Sequence, residues 1–191
     1  MSRVQVRPTA KTRQRRRRRR AVTFLAYLVI VGLLAWYFES QGTTTIVFVR
    51  HAEVDQEMSA DADAPLNVAG RARAERLAEK LIDFDVTGSV NAIYADETRR
   101  TIETAAPLAE RTGLSIHEAD HDDVFGFMRD VLRDHKREIV LVVTHKDRIA
   151  PLVEELHGSK NIGEIASSDY DDIYIVIIPW NAKVKTLHIP Y

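Results

Sequence analysis

The stretch Thr45-Ile46-Val47-Phe48-Val49-Arg50-His51 decides the fold of this chain. Its short apolar part predicts a buried strand, and that strand runs directly into an arginine and a histidine. A second run of this kind, Ile139-Val140-Leu141-Val142-Val143-Thr144, is followed by His145. Because open α/β sheets bind ligands at the carboxyl ends of their strands, we expect both histidines at one edge of a sheet.

Two strand-end histidines with an arginine beside the first indicate a phosphate site. One imidazole can attack phosphorus, and the guanidinium can hold phosphate oxygens through paired hydrogen bonds. Either histidine taken alone is more simply interpreted as a structural residue. The two together, after matching strands, favour the phosphate site.

The N-terminal segment differs sharply in charge from the rest of the 191-residue chain. Residues 1–20 hold ten Lys or Arg and no acid, whereas the remainder holds 17 basic and 28 acidic residues. Residues 21–38 are uncharged and would span about 27 Å as a helix, enough for a hydrocarbon core. Trp36 and Tyr37 lie at the far end, where aromatic rings favour the membrane interface.

This arrangement predicts a single-pass membrane helix at residues 21–38. Excess Lys and Arg on one flank stays on the cytoplasmic side, so we expect a cytoplasmic N-terminus and an extracytoplasmic globular part, periplasmic in a Gram-negative bacterium. Arg15–Arg20 could instead bind nucleic acid, and Ser40-Gln41-Gly42 could belong to a cleaved signal peptide. We favour the uncleaved anchor and expect no nucleic-acid partner. The absence of cysteine removes any disulfide argument.

The chain therefore divides into a basic tail at 1–20, a transmembrane helix at 21–38, a linker at 39–44 and a globular domain at 45–191. Within that domain, apolar runs predict strands at 45–49, 90–94, 114–117, 139–144, 174–178 and 184–189. Helical patterns predict helices at about 67–84, 97–112, 123–136 and 148–156. Alternating strands and helices imply a three-layer α/β/α fold whose central sheet is mostly parallel with an antiparallel edge.

Arg100 adds a third element to the predicted site. It lies in the first turn of a predicted helix that follows the second strand, and a helix N-terminus favours anions. Alternatively, Arg99 or Arg100 could form a surface pair with Glu103 or Glu97 at helical spacing.

Four motifs, in order, resemble the histidine phosphatase superfamily of phosphoglycerate-mutase-like proteins. They are Arg50-His51-Ala52-Glu53, Pro65-Leu66-Asn67-Val68-Ala69-Gly70, Arg100 with Thr104-Ala105, and His145 at the end of an apolar strand. The resemblance covers residues 45–189 and is strongest to small exported members, whose chains close with an acidic-Tyr-Asp segment like Asp169-Tyr170-Asp171-Asp172.

The resemblance implies a phosphomonoesterase that needs neither metal nor cofactor and acts on a small phosphorylated substrate. His51 would form a phosphohistidine, while Arg50, Arg100 and His145 would hold the phosphate oxygens. A family member usually has an acidic proton donor in the region of Asp120, Asp122 and Asp123. Among these we favour Asp122, although all three could simply cap the next helix.

Departures from the family pattern leave some questions open. Glu57 stands where the mutases carry an asparagine, so we expect no mutase activity. Lys146-Asp147-Arg148 replaces small residues and could line the pocket or start a helix. Because the acid is unsettled, an inactive binding module with this fold is the alternative function. Substrate identity and oligomeric state are left open.

Overall fold

The structure is a computed structural model that describes residues 10–39, 42–58, 61, 63–82, 89–119, 123–159, 162, 165 and 169–191. The chain forms two compact units, Met1–Gln41 and Gly42–Tyr191.

The first unit contains one helix, α1 (Ala10–Glu39). Its segment Arg15–Tyr37 has 23 residues, and its side chains are exposed. By length and composition, this segment can cross a membrane. The predicted helix at 21–38 is therefore helical throughout, and the arginine run Arg15–Arg20 continues the same helix.

The second unit is built on one six-stranded sheet. Its strands are β1 (Thr43–Arg50), β2 (Ala92–Ala95), β3 (Ile116–Glu118), β4 (Ile139–Thr144), β5 (Asp172–Pro179) and β6 (Lys185–Pro190). Its helices are α2 (Val68–Ile82), α3 (Arg99–Thr112), α4 (Val124–Asp134) and α5 (Lys146–Glu155), with a short 3₁₀ turn at Gln56–Met58.

The strand order is β3-β2-β4-β1-β5-β6. The pairs among β3, β2, β4 and β1 are parallel, whereas β5 and β6 pair antiparallel at one side. The fold class predicted from the sequence is confirmed, including the antiparallel edge. This topology brings the carboxyl ends of β2, β4 and β1 side by side.

Side chains alternate across the central strands and form a core on each face of the sheet. Ile46 and Phe48 pack into one cluster with residues of α4 and α5, and Val47 and Val49 pack into the other with residues of α2 and α3. Successive side chains of a strand point to opposite faces of the sheet. A sheet that is covered on both faces therefore requires strands that are apolar at every position. The central strands are therefore rigidly held, which fixes the residues that follow them.

Two element boundaries differ from the sequence prediction near the site. Helix α5 begins at Lys146, two residues earlier than predicted, because His145 takes the N-cap position and its carbonyl accepts a hydrogen bond from the Arg148 amide at 3.0 Å. Helix α3 begins at Arg99, two residues later than predicted, and runs unbroken through Pro107. Asn67 caps the N-terminus of α2, since its side chain accepts a hydrogen bond from the Gly70 amide at 2.8 Å.

Candidate active site

His51 and His145 directly follow two adjacent strands, β1 and β4, at matching positions. β1 pairs β4 with Arg50 opposite Thr144, and the His51 amide donates a hydrogen bond to the Thr144 carbonyl at 3.0 Å. His51 and His145 therefore follow matched positions. Their ring centroids lie 5.1 Å apart, with the edge of one ring facing the other. The prediction that they meet at one sheet edge agrees with this geometry.

A hydrogen bond fixes the protonation pattern of the His51 ring. Nδ1 of His51 lies 2.8 Å from the carbonyl oxygen of Ala52. A carbonyl oxygen can only accept, so Nδ1 carries the proton and, in the neutral ring, Nε2 keeps its lone pair. This tautomer leaves the lone pair of Nε2 available for nucleophilic attack.

The surroundings of His51 keep its imidazole neutral. Burial lowers its pKa to about 4, and the nearby charges of His145, Arg100 and Arg50 act in the same direction. Desolvation and like charges both disfavour the imidazolium. At neutral pH the ring is therefore a base with a free lone pair. The pKa of His145 is also lowered, first by burial and then by the charge of Arg100.

The side chain of Arg50 contacts Asp169 and Tyr170, which lie near the C-terminal end of the sequence. One of its terminal nitrogens donates a hydrogen bond to the carbonyl of Asp169 at 3.0 Å, and its guanidinium carbon lies 3.7 Å from the centroid of the Tyr170 ring. The same ring approaches His51 at 6.0 Å between centroids. Arg50 is buried, and that burial lowers its pKa. A guanidinium stacked in this way presents its plane in one orientation.

Helix α3 contains Arg100 and is hydrogen-bonded to the segment after β1. One turn beyond Arg100, the buried Thr104 hydroxyl donates to the Arg100 carbonyl at 2.7 Å. The same hydroxyl accepts a hydrogen bond from the Ala52 amide at 2.9 Å. The spacing of Arg100 and Thr104 thus places a guanidinium and an anchoring hydroxyl on one face of the helix. Arg99 is exposed and pairs with Glu103 at 2.7 Å, which is the surface pairing considered for it from the sequence.

Asp96 is a site residue to which the sequence analysis gave no role. It follows β2, whose Ala95 pairs with Val143, so it lies level with the end of β4. The Asp96 carboxyl is only 5% exposed. Its Oδ2 atom is 3.3 Å from Nε2 of His145 and accepts a 3.3 Å hydrogen bond from the Thr144 hydroxyl. Burial raises the pKa of Asp96 to about 7.

The acids favoured from the sequence have different outcomes. Asp120 and Asp122 lie outside the described residues. Asp123 is exposed and serves as the N-cap of α4, where its carboxylate accepts a hydrogen bond from the Gly126 amide at 2.9 Å. Glu53 of the first motif forms an ion pair with Arg73 at 2.6 Å, which ties the loop after β1 to α2.

Asp96 and Tyr170 are the two residues near the histidines that sequence reasoning missed. Asp96 carried a usable signal, because it follows a strand of a parallel sheet just as His51 and His145 do. For Tyr170, the only signal in the sequence was its position in the closing acidic-Tyr-Asp segment.

Part of the sequence matches the model of a known protein family. Residues 46–122 match the sequence model of the histidine phosphatase superfamily, branch 1. No curated protein sequence matches the chain significantly.

Several solved structures share the fold. The protein histidine phosphatase SixA, solved with tungstate, aligns with a TM-score of 0.61 and 16% identity over 76% of this chain and 96% of its own. A mycobacterial glucosyl-3-phosphoglycerate phosphatase aligns at 0.59 and 16% identity over 78% and 98%. YhfR of Bacillus stearothermophilus aligns at 0.55 and 18% identity over 70% and 90%. Together with the partial model match, these structures show that the globular unit has the phosphoglycerate-mutase-like fold, in agreement with the resemblance carried by the motifs.

Proposed function

We propose that this protein is a metal-independent phosphomonoesterase that transfers the phosphoryl group of a small substrate to His51 and then to water. The family match and the fold support phosphatase activity. The observation that carries the finer proposal is the hydrogen bond between Nδ1 of His51 and the Ala52 carbonyl, because it leaves Nε2 unprotonated. A neutral imidazole is a competent nucleophile without a separate base.

The cations around His51 are suited to binding a phosphate group. Arg50 and Arg100 supply planar guanidinium groups that match phosphate oxygens, and both lie near enough to His51 to lower its pKa. His145 lies beside them and supplies a ring N–H. Positive groups fixed before the reaction stabilise the charge that builds up on the equatorial oxygens in the transition state.

The reaction proceeds in two steps in this proposal. Nε2 of His51 attacks phosphorus and the bond to the leaving oxygen breaks, which gives a phosphohistidine. Water then attacks phosphorus, and the phosphorus–nitrogen bond breaks to return the electron pair to Nε2. Dividing the displacement in this way replaces one difficult step with two easier ones. The relative SixA was solved with tungstate, a tetrahedral oxyanion of phosphate-like shape.

The membrane part of the proposal is supported by the α1 helix. Its segment Arg15–Tyr37 can cross a membrane, and six arginines precede the apolar part. The excess of positive charge on this flank favours a cytoplasmic N-terminus. We propose that the phosphatase is anchored by residues 21–38 and that its globular unit faces outward.

The covalent step is tested by mixing the protein with a phosphate ester that carries a radioactive phosphorus atom and quenching the reaction rapidly. The full-length chain in detergent should acquire acid-labile, base-stable phosphate, and His51→Ala should lose both the label and turnover. His157→Asn is the matched control, because His157 is exposed and has a positive φ of 58° that asparagine tolerates. Normal turnover of His51→Ala, or a label that maps to His145, would show that the nucleophile is misassigned.

A further inference from the structure

A carboxyl group lies directly beside the second histidine of the site. Asp96 Oδ2 is 3.3 Å from His145 Nε2, at the long end of the hydrogen-bond range. The Asp96 backbone is fixed as well, since its amide donates to the Val143 carbonyl at 3.3 Å and its carbonyl accepts from the Thr101 hydroxyl at 2.8 Å. The carboxyl is therefore held at the level of the two imidazoles by the register of the sheet.

We propose that Asp96 donates the proton to the leaving group in this site. The inference rests on the proposed phosphatase function. It differs from the sequence prediction, which placed the acid at Asp122, because Asp96 already lies against His145 while Asp123, the described member of that acidic segment, caps α4.

A carboxyl in this position has to be protonated when a phosphate ester binds. Two negative groups a few ångströms apart in a partly desolvated site repel strongly, so an anionic substrate favours the neutral acid. Burial already raises the pKa of Asp96 to about 7, and the carboxylate of Asp147 in α5 contributes to the increase. Arg148 in α5 and Arg100 in α3 act in the opposite direction, as does the hydrogen bond from Thr144.

A cavity that has Asp96 in its lining offers space for the leaving group. A cavity of about 290 Å³ lies at the ends of β2 and β3 and is bordered by Asp96, with Ile102 and Ile116 among its apolar walls. Glu97, His117 and Glu118 provide its other polar groups. In this proposal the phosphorus lies between His51 and His145, the organic part of the substrate extends toward this cavity, and the ester oxygen lies near Asp96.

The proton and electron balance of the two steps is complete with this residue. As Nε2 of His51 bonds to phosphorus, the electron pair of the breaking phosphorus–oxygen bond passes to the ester oxygen, which takes the proton of Asp96 and departs as an alcohol. Asp96 is then a carboxylate. In the second step it accepts a proton from the attacking water as the phosphorus–nitrogen bond breaks, which restores the acid.

The dependence of rate on the leaving group separates a proton donor from a residue that only supports the fold. Dinitrophenolate is a weak base that departs without a proton, whereas an alkoxide or phenolate needs one. Asp96→Asn keeps the shape and the Thr144 contact and removes only the acid. With phenyl phosphate it should lower kcat/KM about 100-fold or more, and with dinitrophenyl phosphate it should stay within about threefold of the wild type. The fall in kcat/KM of the wild type above about pH 7 should also disappear.

The control is Asp130→Asn, which makes the same change at an exposed carboxylate of α4 that pairs with Arg133. It should match the wild type on both substrates. Equal losses on both substrates in Asp96→Asn, or no loss on either, would overturn the proposal. So would a leaving-group-dependent loss that appears in Asp122→Asn instead. A wild-type protein inactive on both esters would overturn the proposed function itself, and the quench experiment at His51 distinguishes that failure from this one.

Discussion

The guanidinium carbon of Arg50 lies over the ring of Tyr170, 3.7 Å from its centroid, although the two residues are 120 positions apart in sequence. The neighbouring Asp169 carbonyl accepts a hydrogen bond from the same guanidinium at 3.0 Å. The segment before β5 therefore orients the Arg50 guanidinium, which we propose binds the phosphate group. A contact of this kind fixes one plane for the guanidinium, and bidentate phosphate binding depends on that plane.

The ring of Tyr170 should matter for activity, and its hydroxyl should not. Tyr170→Leu removes the cation–π contact, which is worth about 0.5–2 kcal/mol, so we expect kcat/KM to fall about 2- to 30-fold. Tyr170→Phe retains the ring face and should stay near the wild-type value. Steady-state kinetics on one phosphate ester measures both variants. A loss in Tyr170→Phe as large as that in Tyr170→Leu would contradict a role for ring stacking.

The two adjacent arginines at the start of α3 should behave differently. Arg100→Ala removes a proposed phosphate ligand of the transition state, so we expect kcat to fall about 100- to 1,000-fold and KM to rise, with some phosphoenzyme still detectable. Arg99→Ala removes only an exposed ion pair with Glu103 and should change kcat/KM less than about twofold. Kinetics and quenched labelling compare the two. Similar losses in both variants would mean that the helix start, not the guanidinium of Arg100, is what the reaction needs.

Asp96 should make the folded protein less stable as the pH rises. Its pKa is raised to about 7 in the folded state, against about 4 in an unfolded chain. Between these values the unfolded chain loses its proton while the folded protein keeps it, so the contribution of Asp96 to the free energy of unfolding falls with increasing pH. Above the folded pKa the buried carboxylate is a net cost.

Asp96→Asn has no such proton, so its stability relative to the wild type should increase from about pH 4 to about pH 8. Melting temperatures of the detergent-solubilised chains across this range provide the measurement, with Asp130→Asn expected to follow the wild-type curve. A constant difference between Asp96→Asn and the wild type would contradict the raised pKa.

The fold and most of the site were predictable because their signals are local. Two wholly apolar strands are each followed by a histidine. This pattern predicted that His51 and His145 lie at one edge of the sheet, and the parallel register of the two strands aligns them. Asp96 obeys the same rule, but an aspartate just before a helix also has the pattern of a cap, and only the pairing of β2 with β4 places it beside His145.

Tyr170 could not be assigned a role in this way. Its contact with Arg50 closes a loop of more than a hundred residues, and no local pattern encodes such a contact. The helix α5 boundary was misplaced for a related reason. The sequence left open whether Lys146-Asp147-Arg148 lines the pocket or starts a helix, and the structure shows that His145 occupies the N-cap position and that the helix starts directly after it.

Activity should not depend on a divalent metal. In the proposed site Arg50, Arg100 and His145 supply positive charge and N–H donors, which take the place of a metal ion. In the part of the chain that the structure describes, no three His, Asp or Glu side chains converge as metal ligands. We expect incubation with a chelator, followed by assay in chelator-treated buffer, to leave kcat within about twofold of the untreated enzyme. Loss of activity that added magnesium or zinc restores would contradict this expectation.

The orientation of the chain in a membrane follows from the charge on either side of the apolar segment. Ten basic residues precede residues 21–38, and positively charged flanks stay in the cytoplasm. A reporter that is active only outside the cytoplasm, fused after Tyr191, should therefore be active, and a reporter active only inside should be silent at the same position. Replacing Arg15–Arg20 by glutamine is the matched variant, since it keeps the apolar segment while removing most of the charge bias. That variant should lose or mix its orientation. An active cytoplasmic reporter on the unmodified chain would contradict the outward orientation and would place the substrate in the cytoplasm.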